Sequence, residues 1–363
     1  MAEITASSKY ACPACGAEAT WSPAKHALIC GFCGTESASE LKVEGEIIEH
    51  DLKQTLASMK GRETGLAREA IEVKCQSCQA ISSFAAHRVA QNCEFCGSAS
   101  LVPYQDVNEL IRPESLLPMK VAESQVRDDI RKWYGSRWFA PNALGQKAMT
   151  DTLRGLYVPY WTFDARVHAV WTAESGTYYY TTETYRENGQ TRTRQVRHTR
   201  WSKASGEIDH FFDDELICGS KGVHPKLLRE VEPFPTRDAV PYDSGYLAGF
   251  VVERYQVDLG TASQTSRAVM EQKIEVLCAQ EVPGDTHRNL QTRQQHSAQT
   301  FKHVLAPLWL LTYTFRGKPF QVIVNGFTGK IAGEHPLSWV KIFFAGLAVI
   351  IAAIVVIAVL GSN

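Results

Sequence analysis

Eight of the ten cysteines fall into C-x-x-C pairs: Cys12 with Cys15, Cys30 with Cys33, Cys75 with Cys78, and Cys93 with Cys96. Fourteen residues separate the two pairs of each set, and the second set repeats the first at an offset of 63 residues. Thiolate pairs a hairpin's length apart can converge on one ion, because a C-x-x-C turn points both sulfurs the same way. The glycine that follows, at Gly16, Gly34 and Gly97, lets the backbone amides turn toward the sulfurs, while Gln79 makes the third turn irregular. Four thiolates close a tetrahedral site with no open position for water or substrate, so the expected role is structural. Zinc is the ion that this donor set selects, with iron the alternative, and two per chain are expected. Modules of about thirty residues have little core, and metal binding supplies on the order of 10 kcal/mol of their folding free energy. His26 and His87 lie inside the modules but are surplus to the eight sulfurs.

Other clusters carry weaker chemistry. The stretch His210-Phe-Phe-Asp-Asp-Glu215 gathers metal-capable side chains without a matching second cluster, and reads as a turn or hairpin surface. GFTGKIAG at 326–333 has the wrong glycine spacing for a phosphate loop, with Ile331 where a hydroxyl should hold magnesium. No nucleophile elbow, zinc-protease helix or dinucleotide fingerprint is present, which argues against an enzyme. Cys218 and Cys278 stand alone and read as buried small hydrophobes. The net charge of -1 supplies no pull toward polyanions, and the cysteine modules lack a basic stripe, so nucleic acid is disfavoured there. One positive cluster, Arg186, Arg192, Arg194, Arg197, Arg200 and Lys203, remains open to lipid headgroups, nucleic acid or solvent; alternation sets Arg192, Arg194 and Arg200 on one face.

The elements that must position these residues follow from periodicity. Leu52, Leu56 and Met59 mark a short helix in a polar spacer, and 122–134 and 263–280 carry apolar residues at helical spacing. Strand signals run through LYVPYWTFDARVHAVWTA, YYYTTETYR and TRTRQVRHTRW, the last two flanking Asn188-Gly189 as an expected hairpin. Further strands are expected in VLAPLWLLTYTFRG and KPFQVIVNGFTGKIAG. Strands and helices come in blocks, which predicts an α+β domain with an antiparallel sheet. From Ile342 to Leu360 no charged or polar side chain interrupts nineteen residues, the length of a transmembrane helix. Lys330 and Lys341 precede it, Trp339 suits the interface, and the N-terminus shows no secretory signal, which together place the bulk in the cytoplasm. The cysteines then sit in a reducing compartment, which favours metal over disulfides.

The expected organisation is multidomain: a zinc ribbon at 1–35, a linker with a short helix at 36–74, a second ribbon at 75–104, a cytoplasmic α+β domain at 105–340 and a single-pass transmembrane helix at 342–360. The paired cysteine modules, LYVPYWTFDA, PLWLLTYTFRGKPFQVIVNGFTGKIAGEHP and the closing apolar segment together resemble a bacterial family of membrane-anchored proteins with TFIIB-type zinc ribbons. Members of that family often carry the label primosomal protein N′ (replication factor Y), superfamily II helicase. This sequence lacks the nucleotide-binding loop such a helicase needs. What the resemblance implies is a tail-anchored adaptor or scaffold at the cytoplasmic (inner) membrane, in contact with the lipid bilayer and similar to proteins that act beside SPFH-domain and phage-shock-type envelope-stress proteins. The alternative is a nucleic-acid-binding protein linked to DNA replication and held at the membrane.

Overall fold

Leu153 to Cys218 fold back on themselves as one very long hairpin, around which the rest of the chain is assembled. The computed structural model describes residues 10–37, 46–59, 71–76, 80–84, 92–93, 95, 98–103, 111–141, 153–187, 190–315 and 318–361. Its strands are β1 (Tyr10–Ala11), β2 (Glu18–Ser22), β3 (Ala27–Cys30), β4 (Glu36–Ser37), β5 (His50–Asp51), β6 (Ile71–Cys75), β7 (Ile81–Phe84) and β8 (Leu101–Pro103), then β9 (Ser115–Leu116), β10 (Leu153–Glu187), β11 (Gln190–Cys218), β12 (Val240–Pro241), β13 (Val251–Glu253), β14 (Thr286–Phe315), β15 (Lys318–Asn325) and β16 (Ile331–Gly333). Its helices are α1 (Leu52–Met59), α2 (Glu123–Gly135), α3 (Pro225–Val231), α4 (Leu259–Glu281) and α5 (Trp339–Gly361).

Strands β1 to β4 form a separate four-stranded antiparallel sheet, the N-terminal ribbon. The large sheet is built on β10, which pairs antiparallel with β11 on one side and β14 on the other. It is mixed rather than purely antiparallel, because β13 runs parallel to β10 and β9 parallel to β14. The expected breaks between strand segments are absent: β10 runs unbroken for 35 residues through Glu174-Ser175-Gly176. Gly176 marks a close approach instead of a turn, since a Cβ there would lie 2.8 Å from the Trp201 ring and 2.7 Å from Thr286. Glu187 pairs with Gln190, so the hairpin reverses where Asn188 and Gly189 were expected to turn it, although those two lie outside the described residues.

Alternation along the central strands separates two cores. Tyr157, Leu305, Trp309, Leu311, Val322 and Val324 join one, while Leu156, Val158, Tyr160, Ala306, Leu308, Leu310 and Ile323 join the other. Side chains of successive strand residues point to opposite faces, so these are two faces of one sheet. The first face is covered by α2, through Val126, Ile130 and Tyr134 at four-residue spacing, and by the N-terminal ribbon. The second is covered by α3 and by the Cys75–Cys93 module. Farther along β10, Phe163, Val167, Ala169 and Trp171 pack under α4 through Leu259, Ala262, Met270 and Ile274. That helix starts where the Asp258 carboxylate accepts a hydrogen bond from the Thr261 amide at 2.9 Å.

Two expectations change in this architecture. The segment read as a spacer contributes β5, which pairs with β14, and Glu49, which reaches Lys302 at 3.0 Å. The second cysteine module joins the large sheet through β7 and β13, so it is part of the body. The C-terminal segment expected to span a membrane lies in α5. Side chains from 355 onward fall outside the described residues, and among those described no helix is long and apolar enough to cross a membrane.

Candidate metal centre

Cys12 and Cys15 flank the turn between β1 and β2, and Cys30 and Cys33 flank the turn between β3 and β4. The antiparallel register Ala19 with Cys30 brings the two turns together. The four sulfurs all lie within 4.8 Å of one another, with Cys12 Sγ 3.5 Å from Cys33 Sγ and Cys15 Sγ 3.5 Å from Cys30 Sγ. A zinc ion with Zn–S bonds of about 2.3 Å requires sulfurs about 3.8 Å apart at the vertices of a tetrahedron, so the set fits that ion with small adjustments. Gly16 and Gly34 both have φ of +72°, the left-handed conformation expected of the residue that closes each turn. Without metal the sulfurs perturb one another. The Cys33 thiol is held down to about 6 by the Thr35 hydroxyl and backbone amide. Cys15, although hydrogen-bonded by the Ala17 backbone, is raised to about 12 by its close approach to Cys33. A cation among the four relieves that crowding by stabilising every thiolate at once.

One backbone signature is common to all four turns. The amide of the first cysteine donates to the carbonyl five residues on: Cys12 to Ala17 at 2.7 Å, Cys30 to Thr35 at 3.1 Å, Cys75 to Ala80 at 2.9 Å and Cys93 to Ser98 at 2.7 Å. In the second module Cys75 and Cys93 are buried, while Cys78, Gln79, His87, Cys96 and Gly97 lie outside the described residues. The structure therefore displays one four-cysteine cluster, and two of the four cysteines expected at the second.

The N-terminal ribbon is firmly seated. Trp21 is 5% exposed; its indole Nε1 donates to the Met119 carbonyl at 3.1 Å, and its ring meets Tyr246 edge-on at 4.7 Å. The Trp21 amide donates to the Ala248 carbonyl at 3.0 Å, and Gly249, with φ of +89°, lets Thr20 approach to where a Cβ would be 3.1 Å away. Sequence reasoning did not single out Trp21. It equally missed the aromatic residue inside each second turn, Cys30-Gly-Phe32-Cys33 and Cys93-Glu-Phe95-Cys96. Phe95 is 0% exposed, and its carbonyl accepts from Thr312 Oγ1 at 2.7 Å and Gln321 Nε2 at 3.1 Å. Phe32, in the matching position, is 84% exposed. The shared C-x-F-C pattern was the available signal.

The remaining expected sites behave as scaffold. His26 is exposed at a left-handed position in the β2–β3 turn, at the end of that hairpin away from the cysteines. The acids of 210–215 are occupied by ion pairs, Asp213 with Arg237 at 3.5 Å, Asp214 with Lys302 at 2.8 Å and Glu215 with Lys273 at 2.5 Å. Among the described residues the N-terminal cysteines are the only group of three or more that could hold an ion. At 326–333 the chain makes a β15–β16 turn, in which Asn325 Oδ1 accepts from the Phe327 and Thr328 amides at 3.0 and 2.9 Å. Cys278 is a buried residue of α4, and Cys218 is half-buried with its thiol raised to about 12 by burial. The arginine hairpin projects beyond Gly176, the last β10 residue paired with β14. Arg192, Arg194 and Arg200 share one of its faces, with Arg194 bound to Glu183 at 3.0 Å and Arg200 over the Tyr179 ring at 5.7 Å.

No protein-family profile matches the chain, and no solved structure matches it. It is similar to an uncharacterized protein, YdjG, of Bacillus subtilis (strain 168), at 22% identity over 252 residues that cover 66% of this chain and 68% of that protein.

Proposed function

We propose that the chain is a non-enzymatic adaptor, held at the cytoplasmic membrane by its C-terminal helix, that presents a metal-organised turn to a protein partner. The observation that carries this reading is the contrast between Phe32 and Phe95. Both lie inside a C-x-x-C turn; one is sealed in the core and the other stands 84% exposed on the turn beside the four-cysteine cluster. A closed four-thiolate site offers no position for catalysis, and a large aromatic anchored by a short rigid turn is the kind of residue that dominates protein interfaces. The anchor reading is supported by α5, whose Phe343, Phe344, Val349, Ile350, Ile351 and Ile354 are exposed on a helix of 23 residues. A second zinc in the Cys75, Cys78, Cys93 and Cys96 module completes the proposal, on the strength of the shared amide-to-carbonyl signature of the four turns.

The test is affinity capture of the tagged full chain from detergent-solubilised membranes, comparing wild type with Phe32→Ser and running a nuclease-treated sample in parallel. Membrane-scaffold proteins enriched by wild type, resistant to nuclease and lost with Phe32→Ser, are the expected result. Replication proteins that disappear on nuclease treatment would overturn it in favour of a nucleic-acid role. Metal analysis of the purified protein should give two zinc per chain, falling to one in Cys75→Ser.

A further inference from the structure

The charge pattern of β11 runs in two blocks. From 190 to 205 it carries five cations, Arg192, Arg194, Arg197, Arg200 and Lys203, and no acid; from 206 to 218 it carries five acids, Glu207, Asp209, Asp213, Asp214 and Glu215, and no Lys or Arg. The strand is 29 residues long and, among the described residues, pairs only with β10. Its other edge therefore presents a row of backbone amides and carbonyls that alternate outward along most of its length. Proteins ordinarily blunt such an edge with short strands, bulges or a covering element, and a long open edge is a template for strand addition. The irregularity near Asp214, with φ of +56°, ends the regular stretch on the acidic side only after Phe212.

We propose that this edge pairs antiparallel with the same edge of a second copy of the chain, about a two-fold axis at Ser205. An antiparallel pairing of a strand with itself lays its basic half along the acidic half of the partner, which no parallel arrangement does. The two-fold requires facing residues to have positions of equal parity, because opposed residues in a sheet point to the same side. Centring on Ser205 satisfies this and sets Lys203 against Glu207 and Trp201 against Asp209, each twice in the dimer. These residues alternate onto one face with Ser205, and Lys203, Ser205, Glu207 and Asp209 are all exposed. The β10 residue opposite Lys203 is Glu174, which is already bound by Arg288, and the one opposite Glu207 is Val170. Neither Lys203 nor Glu207 has an ion-pair partner among the described residues. The edge thus holds matched charges without partners at the centre of an otherwise unfilled hydrogen-bonding row.

The test uses the full chain, zinc-loaded and in detergent, with mass read by light scattering and sedimentation. Wild type is expected to be a dimer that weakens as salt rises. Lys203→Glu faces Glu207 with a like charge twice per dimer, and Glu207→Lys faces Lys203 the same way, so each variant alone should dissociate more readily, on the order of tenfold. Mixing the two variants sets the carboxylate introduced at position 203 of one chain opposite the ammonium introduced at position 207 of the other. The native pair of Lys203 and Glu207 forms on the far side of the axis, so the mixed dimer should recover wild-type affinity. That recovery also shows that both variants are folded. A monomeric wild type, single variants that dimerise like wild type, or a mixture that fails to recover would each overturn the proposal.

Discussion

His303 lies in β14 and is 4% exposed, stacked on Trp161 with ring centroids 4.8 Å apart. Its Nδ1–H donates to the Ile111 carbonyl at 3.0 Å, which fixes the tautomer, since a carbonyl can only accept. Nε2 is then a buried lone pair with no partner among the described residues. Protonating it places an uncompensated charge in the core, and burial accordingly lowers the imidazole to about 4 from 6.5. The unfolded chain takes up this proton near pH 6.5 and the folded chain only near 4. Stability contributed by His303 is therefore complete above 6.5 and is lost as pH falls toward 4. Between pH 7 and pH 5 the loss is about 2 kcal/mol, or ~3 °C in Tm for a chain of this length. Asp164, raised to about 6 by burial, and Glu253, raised to about 7 by burial, run the other way. Their contributions are present below their unfolded values and are lost as pH rises through 6 and 7. The measured quantity must be the difference between wild type and His303→Asn, followed by thermal unfolding in steps from pH 7 to pH 5. The variant loses packing at every pH, but its deficit should shrink by about 2 kcal/mol at the acid end. Parallel profiles that keep a constant gap would refute the buried, unprotonated imidazole.

Removing zinc, or replacing Cys30 by Ser, should unfold the N-terminal ribbon and expose Trp21, read as a red shift in tryptophan emission that is absent in a Trp21→Phe background. The two aromatic turns should separate in stability: Phe95→Ala is expected to cost ~3–5 kcal/mol and Phe32→Ala less than ~0.5 kcal/mol by thermal or chemical denaturation. Gly222→Ala would set its Cβ 2.6 Å from that of Ala80 and 3.0 Å from Phe95 Cδ1, where the second module meets the body. The variant should lose ~1–3 kcal/mol and open β7 to hydrogen exchange before the remainder of the sheet.

Local patterns were the legible part of this sequence. The C-x-x-C spacing announced the four-sulfur cluster, and apolar residues at helical intervals announced α1, α2 and α4. What local patterns could not carry was the assembly. Trp21 sits in a five-residue strand, and its indole partner, the Met119 carbonyl, is 98 residues away. β13, the three-residue strand that ties the second module to the body, has no periodicity to read. Lys302 and His303 interrupt a strand that otherwise reads as core, and their burial depends on Glu49, Asp214 and Glu114 reached from three other segments. Within the segment that read as a polar spacer, Glu49 pairs with Lys302 and His50 with Glu114.

The two cysteine modules show how little a repeated motif determines by itself. Their turns have the same backbone hydrogen bond and the same aromatic position, so local chemistry treats Phe32 and Phe95 alike. The difference arises from which face of the central sheet each module reaches. The Cys93 turn is brought over the face lined by Val158, Tyr160 and Leu308, in the same core as Phe95. The N-terminal ribbon meets the opposite face through Ala19, Trp21 and Leu28, residues of its strands, and this directs its turn away from the sheet. One module thus has its tip in the core and the other has its strands there. Burial therefore gives Phe95 a role in stability and leaves Phe32 exposed beside the four-cysteine cluster, which is why the adaptor proposal rests on the N-terminal ribbon and not on the second module.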